Sequence, residues 1–140
     1  MPEERKAYAE AVRAHDKFAV EQGKILAVGK ATPKAKRYYR SRSGDWLTYW
    51  NRLRQRDADG IRIVGRGETL RIRPAGIKLG DDSGTVDLRV CGVAKGVKVF
   101  QNGTPIPQPQ AKPKIVNVRL VQLEKDPRWR VFWERIGGSC

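Results

Sequence analysis

The closing stretch of the chain constrains its fold most. Residues 115–123 and 129–136 are two runs crowded with β-branched, aliphatic and aromatic side chains, separated by Glu124-Lys-Asp-Pro-Arg128. Such runs read as two long β-strands around a tight turn, with Asp126-Pro127 marking the reversal. Side chains alternate between the faces of a strand, so Trp129, Val131 and Trp133 are expected on one face and Arg130 and Phe132 on the other. These are the strongest core candidates, and the upstream chain must supply something for them to pack against.

The upstream chain begins with helices. From Glu3 to about Gln22, Tyr8, Ala11, Val12, His15, Phe18 and Ala19 recur at three- and four-residue spacings and form one apolar stripe. Pro2 suits a first helical turn, and Glu3 and Glu4 suit its positive dipole end. This helix either breaks at Gly23 or continues through Val28. Thr32-Pro33 reads as an N-cap followed by proline at the first helical position, opening a short basic helix that Ser41 to Gly44 interrupts. Asp45 opens a third helix, whose stripe is Trp46, Leu47, Tyr49, Trp50 and Leu53 and which Gly60 ends. Its other face carries Arg52, Arg54 and Arg56.

After Gly60 the period changes from helical to two. Residues 61–65 and 69–73 read as one interrupted strand or a hairpin, and Pro74 is expected to end that run. Residues 77–79 lead into a polar turn over Gly80-Asp-Asp-Ser-Gly84. Residues 85–91 form a half-buried strand with Val86, Leu88 and Val90 on one face. Asn102-Gly103 fits the tip of a short hairpin, because both positions of a type I′ turn need positive φ. Pro105 to Pro113 is expected as an exposed, extended connection. The sum is a single domain over residues 1–140, a helical part (2–59) followed by a sheet part (60–136). The expected fold class is α+β, with N-terminal helices packed on a curved antiparallel β-sheet.

The chain of 140 residues carries 29 basic against 15 acidic residues, a net charge of +14. Such an excess attracts anionic partners, and it also serves solubility with no partner at all. No window approaches the roughly 20 apolar residues of a membrane span, and the charged start lacks the apolar region of a signal peptide. Cys91 and Cys140 have no metal-ligand spacing, and no metal or cofactor is expected. Three readings of the pair stay open. They form a disulfide worth about 4 kcal/mol for a loop of roughly 50 residues, they are two unrelated thiols, or residues 137–140 are an added tail.

The most pronounced binding feature is a basic and aromatic cluster. Lys30, Lys34, Lys36, Arg37, Arg40 and Arg42 surround Tyr38 and Tyr39, and Arg52 and Arg56 follow on the next helix. Cations that hold phosphates and rings that stack bases are what single-stranded nucleic acid needs. The same cations suit an acidic protein or another anionic surface. Arg62, Arg66, Arg71 and Arg73 extend the basic character across the first strands. His15, the only histidine, lacks the companions a metal site needs and reads as a packing residue.

The helix-first order, the Gly60-x-x-x-x-Gly65 approach to the sheet and the closing Trp129-Arg-Val131 strand are similar to the NTF2-like (cone-shaped α+β) superfamily. More narrowly, Val90-Cys91, Asn102-Gly103-Thr-Pro105, Pro113-Lys-Ile-Val116, Trp129-Arg-Val131, Glu134-Arg135 and Cys140 resemble a group of small secreted proteins and lipoproteins of actinobacteria. VirB8-like conjugation proteins and Mce-associated proteins share similar cone folds. The resemblance implies a Cys91–Cys140 bridge and a non-enzymatic interaction module of the cell envelope, or a free-standing copy from a phage or mobile element. An oxidised pair would mark an extracytoplasmic location and two free thiols a cytoplasmic one. The superfamily also implies dimerisation through the open sheet face, with Phe132 or Trp133 outward. Some of its members are isomerases or dehydratases with a pocket between helices and sheet, for which Tyr8, His15, Tyr38, Tyr39, Asp45 and Tyr49 are the candidates here. Asp45 has a simpler role at the start of the third helix, and no residue is assigned as catalytic.

Overall fold

The computed structural model describes residues 2–81, 83–123 and 126–140. Asp82 in the expected polar turn, and Glu124 and Lys125 in the expected final reversal, lie outside the described residues. Three helices come first: α1 (Pro2–Val28), α2 (Pro33–Arg42) and α3 (Trp46–Ala58). Seven strands follow among the described residues: β1 (Ile61–Val64), β2 (Glu68–Leu79), β3 (Gly84–Val93), β4 (Lys98–Gln101), β5 (Thr104–Ile106), β6 (Lys114–Leu123) and β7 (Asp126–Ser139). All pair antiparallel, in a four-stranded sheet of order β2-β3-β6-β7 and a three-stranded sheet of order β1-β4-β5. The α+β class expected from the sequence is therefore the observed one.

The first helix does not break at Gly23 but runs about 40 Å to Val28. Ala7, Ala11, His15 and Phe18, spaced four, four and three apart, are its buried residues. Gly29 ends it at φ +73°, donating its amide to Ile25, and a side chain there would press on the Ile61 carbonyl. The second helix starts as its sequence dictates, with the Thr32 hydroxyl accepting from the Ala35 amide at 3.1 Å. In α3 Tyr49 and Leu53 are buried, whereas Leu47 is 54% exposed and leaves the expected stripe.

The core lies between the helices and one face of the larger sheet. Val86, Leu88 and Val90 of β3, Val118 and Leu120 of β6, and Trp129 and Val131 of β7 meet Ala7, Ala11, Phe18, Tyr39, Tyr49 and Leu53. Tyr39 and Tyr49 stack at 5.4 Å, and Phe18 meets Tyr49 edge-on at 5.3 Å. The Tyr49 hydroxyl donates to Glu134 across the core at 2.7 Å. Burial, with the Glu134 charge second, holds the Tyr49 phenol far above its ordinary range.

Several strand expectations need correction. Residues 61–65 and 69–73 are neither one strand nor a hairpin, because β1 pairs with β4 and β2 with β3 in the other sheet. Pro74 does not end its strand: β2 continues to Leu79, with Pro74 opposite Leu88 and a register shift before Gly76. It is tolerated because β2 is an edge strand, where a missing N–H costs no ladder bond. Asp126-Pro127 is not the tip of the closing hairpin, since Asp126 already pairs with Leu123. Asn102 (φ 50°) and Gly103 (φ 82°) do form the expected left-handed hairpin tip, between β4 and β5.

The largest correction concerns β7. Arg119 pairs with Trp133 but the next residue, Leu120, pairs with Val131, so Phe132 is the extra residue of a bulge. One inserted residue inverts the alternation beyond it. Trp133 therefore does not share a face with Trp129 and Val131. It lies on the side away from the helices, and Glu134 takes the inward position. The bulge is also where the α2–α3 connection meets the sheet edge. Ser43 bridges Val131, the Gly44 amide donates to the Val131 carbonyl at 2.8 Å, and the Asp45 amide donates to Phe132 at 3.0 Å.

Candidate functional site

The larger sheet has helices on one face only. Reading the alternation along each strand, its other face presents Arg71, Arg73 and Lys78 from β2, Arg89 from β3, Arg119 from β6, and Arg130, Trp133 and Arg135 from β7. Arg71, Arg73, Lys78, Arg89 and Arg135 are exposed. Two carboxylates oppose them among the described residues. Asp87 takes a two-point grip from Arg119 at 2.8 and 3.0 Å. Asp126 bonds Arg128 and Arg130, which hold its carboxyl far below the usual carboxylate range. Two guanidiniums lie over the indole of Trp133, Arg135 at 4.4 Å and Arg119 at 5.2 Å from its centroid. At one end Arg71, Arg73 and Arg89 surround a hollow of about 280 Å³ whose wall includes Cys91 and Cys140.

Those cysteines are bonded, with their Cα atoms 6.1 Å apart. The bond fastens the end of β7 to β3 across the intervening β6. Of the readings left open by the sequence, paired cysteines are what the fold contains, and residues 137–139 form the end of β7.

The basic and aromatic cluster of the helices is dispersed. Tyr39 is 1% exposed inside the core, where no base reaches it, and Tyr38 stacks on Phe18 at 6.0 Å. The expected pair of stacking rings is thus not presented, because the cations and the core both require this helix and the rings serve the core. Burial pushes the Tyr38 phenol up to about 12. Lys30 pairs with Asp57 at 3.5 Å, Lys36 lies over Trp50 at 5.7 Å, and Arg40 lies over Trp46 at 5.2 Å. Arg42 lines a recess against α1, while Arg52 lines a separate hollow with Tyr49 and Glu134. Lys34 and Arg37 are left exposed on α2, and Arg56 is half-buried.

Of the six side chains named for an isomerase or dehydratase, Tyr38, Tyr39 and Tyr49 meet ring to ring in the core, and the six do not share one pocket. A groove of about 610 Å³ does run between α1 and the sheet, and it takes His15 alone of the six, beside Asp16, Glu68 and Glu134. Tyr8 donates to the Ile72 carbonyl at 3.4 Å, Tyr49 to Glu134, and Asp45 accepts from the Thr48 hydroxyl at 2.9 Å. Asp45 stands at the N-cap position without capping a backbone amide.

The arginines of the outer face were visible singly in the sequence, but their assembly was not. Arg71, Arg73 and Arg89 alternate with inward apolar residues, a signal for one cationic face. The β7 bulge that adds Trp133 and Arg135 to that face leaves no such trace.

No protein-family model matches this chain, and no curated protein matches it. A solved structure of the intermembrane space region of the chloroplast protein ARC6 resembles it over 91% of this chain and 96% of that one, with a TM-score of 0.54 at 10% sequence identity. The likeness is one of fold and spans nearly the whole of both chains.

Proposed function

We propose that this chain is a non-enzymatic interaction domain that docks an acidic protein partner on the uncovered face of its larger sheet. The observation that carries the reading is the asymmetry of that sheet. One face is apolar and filled by helices. The other carries seven cations and Trp133 against two carboxylates among the described residues. Guanidiniums recognise carboxylates through paired hydrogen bonds. Face-to-face association of two copies would set these like charges against each other, which disfavours the homodimer expected from the superfamily. Trp133 already carries two guanidiniums, and Tyr38 and Tyr39 serve the core, so these three rings do not offer a single-strand binder its stacking platform.

The setting we infer is extracytoplasmic, because a disulfide persists in oxidising compartments. Among the described residues no helix is long and apolar enough to cross a membrane. The bonded cysteines and the helices-then-sheet order support kinship with the NTF2-like actinobacterial group.

The test is fluorescence anisotropy with a labelled oligo-glutamate and a labelled single-stranded oligonucleotide of matched charge, at low salt and near about 150 mM, where screening acts over ~8 Å. Oligo-glutamate should bind at both salts and lose at least about tenfold in affinity, ~1.4 kcal/mol, in the Arg71→Gln/Arg89→Gln/Arg135→Gln variant. Tighter, salt-resistant binding of the oligonucleotide, lost in Lys34→Gln/Lys36→Gln/Arg37→Gln, would sink the reading in favour of nucleic-acid recognition on α2.

A further inference from the structure

We propose that the recess between α1, α2 and the start of β7 is a binding site for a small amphipathic oxyanion, a compact aromatic body bearing one phosphate or carboxylate group. The recess lies on the helix side of the sheet, separate from the outer face, and holds about 280 Å³. That volume falls just below the ~300 Å³ at which sites for drug-sized ligands begin, which limits the occupant to a smaller body. Its floor is formed by Phe18, Tyr38 and Trp129, and its rim by Arg13, Lys17, Arg42 and Arg128. A ring-shaped body matches the first set and an oxyanion the second.

The charges are arranged for an incoming anion. Glu10 is the one carboxylate in the lining, and it is turned to the Trp129 indole N–H at 3.1 Å and to Lys6 at 3.9 Å. Arg128 is held by Asp126. Among the described residues, the ion pairs leave Arg13, Lys17 and Arg42 without a carboxylate partner. Arg13 and Lys17 are four residues apart on α1, a spacing at which like charges repel. An anion between them would relieve that repulsion. The bond from Trp129 to Glu10 fixes the indole ring as part of the floor, so the site is formed before any ligand arrives.

The Trp129 indole N–H gives a direct readout in a ¹⁵N-resolved NMR titration of the whole chain. Phenyl phosphate, benzoate and inorganic phosphate are each added to about 10 mM, enough to saturate a site of about millimolar affinity. The expected result is a saturable shift of the Trp129 signal with one or both aromatic anions, the tighter of the two assigning phosphate or carboxylate. Inorganic phosphate, lacking the ring, should bind at least about tenfold more weakly. Arg13→Gln and Arg42→Gln should each weaken binding by about tenfold. Lys17→Gln, on an exposed residue, supplies the same test should either of those variants fold poorly. No saturable shift with either aromatic anion, equal binding of inorganic phosphate, or unchanged affinity in all three variants would overturn the proposal.

Discussion

The two faces of the larger sheet are built from the same strands and behave as different materials. On the inner face, Val86, Leu88, Val118 and Leu120 are fully buried beneath α1, α2 and α3. On the outer face, the residues that alternate with them are Asp87, Arg89, Arg119 and Val121, exposed or half-buried. Alternation along a strand makes the two sets inseparable in sequence and independent in chemistry. The inner face holds the fold together. The outer face is free to change without unfolding the domain, which is what an interaction surface requires.

Stability measurements are the sharpest way to break this division. The largest effect should come from the bond that ties the end of β7 to β3. Replacing Cys91 and Cys140 together by serine frees a 49-residue separation and should cost about 4 kcal/mol in the chain-entropy account, read by urea denaturation of the oxidised protein and the variant. On the inner face, Leu120→Ala should cost ~2–5 kcal/mol, because Leu120 is fully buried and the cavity left behind collapses only in part. A cost below about 1 kcal/mol would mean that the helices do not pack on this face as described.

Tyr49→Phe probes the polar contact inside the core. It removes the donor that Glu134 accepts from at 2.7 Å and should cost about 1–3 kcal/mol. Arg89→Gln on the outer face is the counterpart and should change stability by no more than about 0.5 kcal/mol. Equal costs for the two would erase the distinction between the faces.

The smallest expected effect is a pH dependence at the α1–α2 connection. The Ala31 amide, donating to Asp57 at 2.9 Å, holds that carboxyl below its usual range, with Lys30 adding to it. A depressed folded-state value gives a contribution that is fully present above the unfolded value of about 3.9 and is lost as pH falls through the folded value. Melting temperature should therefore fall more steeply on acidification below about pH 4 in the parent chain than in Asp57→Asn.

The same comparison explains what could be read from the sequence. The inner face was legible because Val86, Leu88 and Val90 repeat with period two, and α1 because Ala11, His15 and Phe18 follow its turn. The cap at Thr32 and the hairpin tip at Asn102-Gly103 were legible because their local chemistry suffices. The outer face was not, since Phe132 carries no mark of being the extra residue that turns Trp133 outward. The division of strands between two sheets was hidden as well, because β1 pairs with a strand more than thirty residues away. Tyr39 misled for a related reason: a tyrosine among cations is the same letter whether it points to solvent or into a core.

Mapping the contact tests whether an acidic partner sits on the outer face, as proposed. Backbone and indole ¹⁵N–¹H signals would be followed while an acidic peptide is added to the whole chain. Shifts should concentrate at Arg71, Arg73, Arg89, Arg119 and Arg135 and at the Trp133 indole, with Lys34, Lys36 and Arg37 unmoved. Shifts concentrated on α2, with the outer face of the sheet silent, would contradict the proposal.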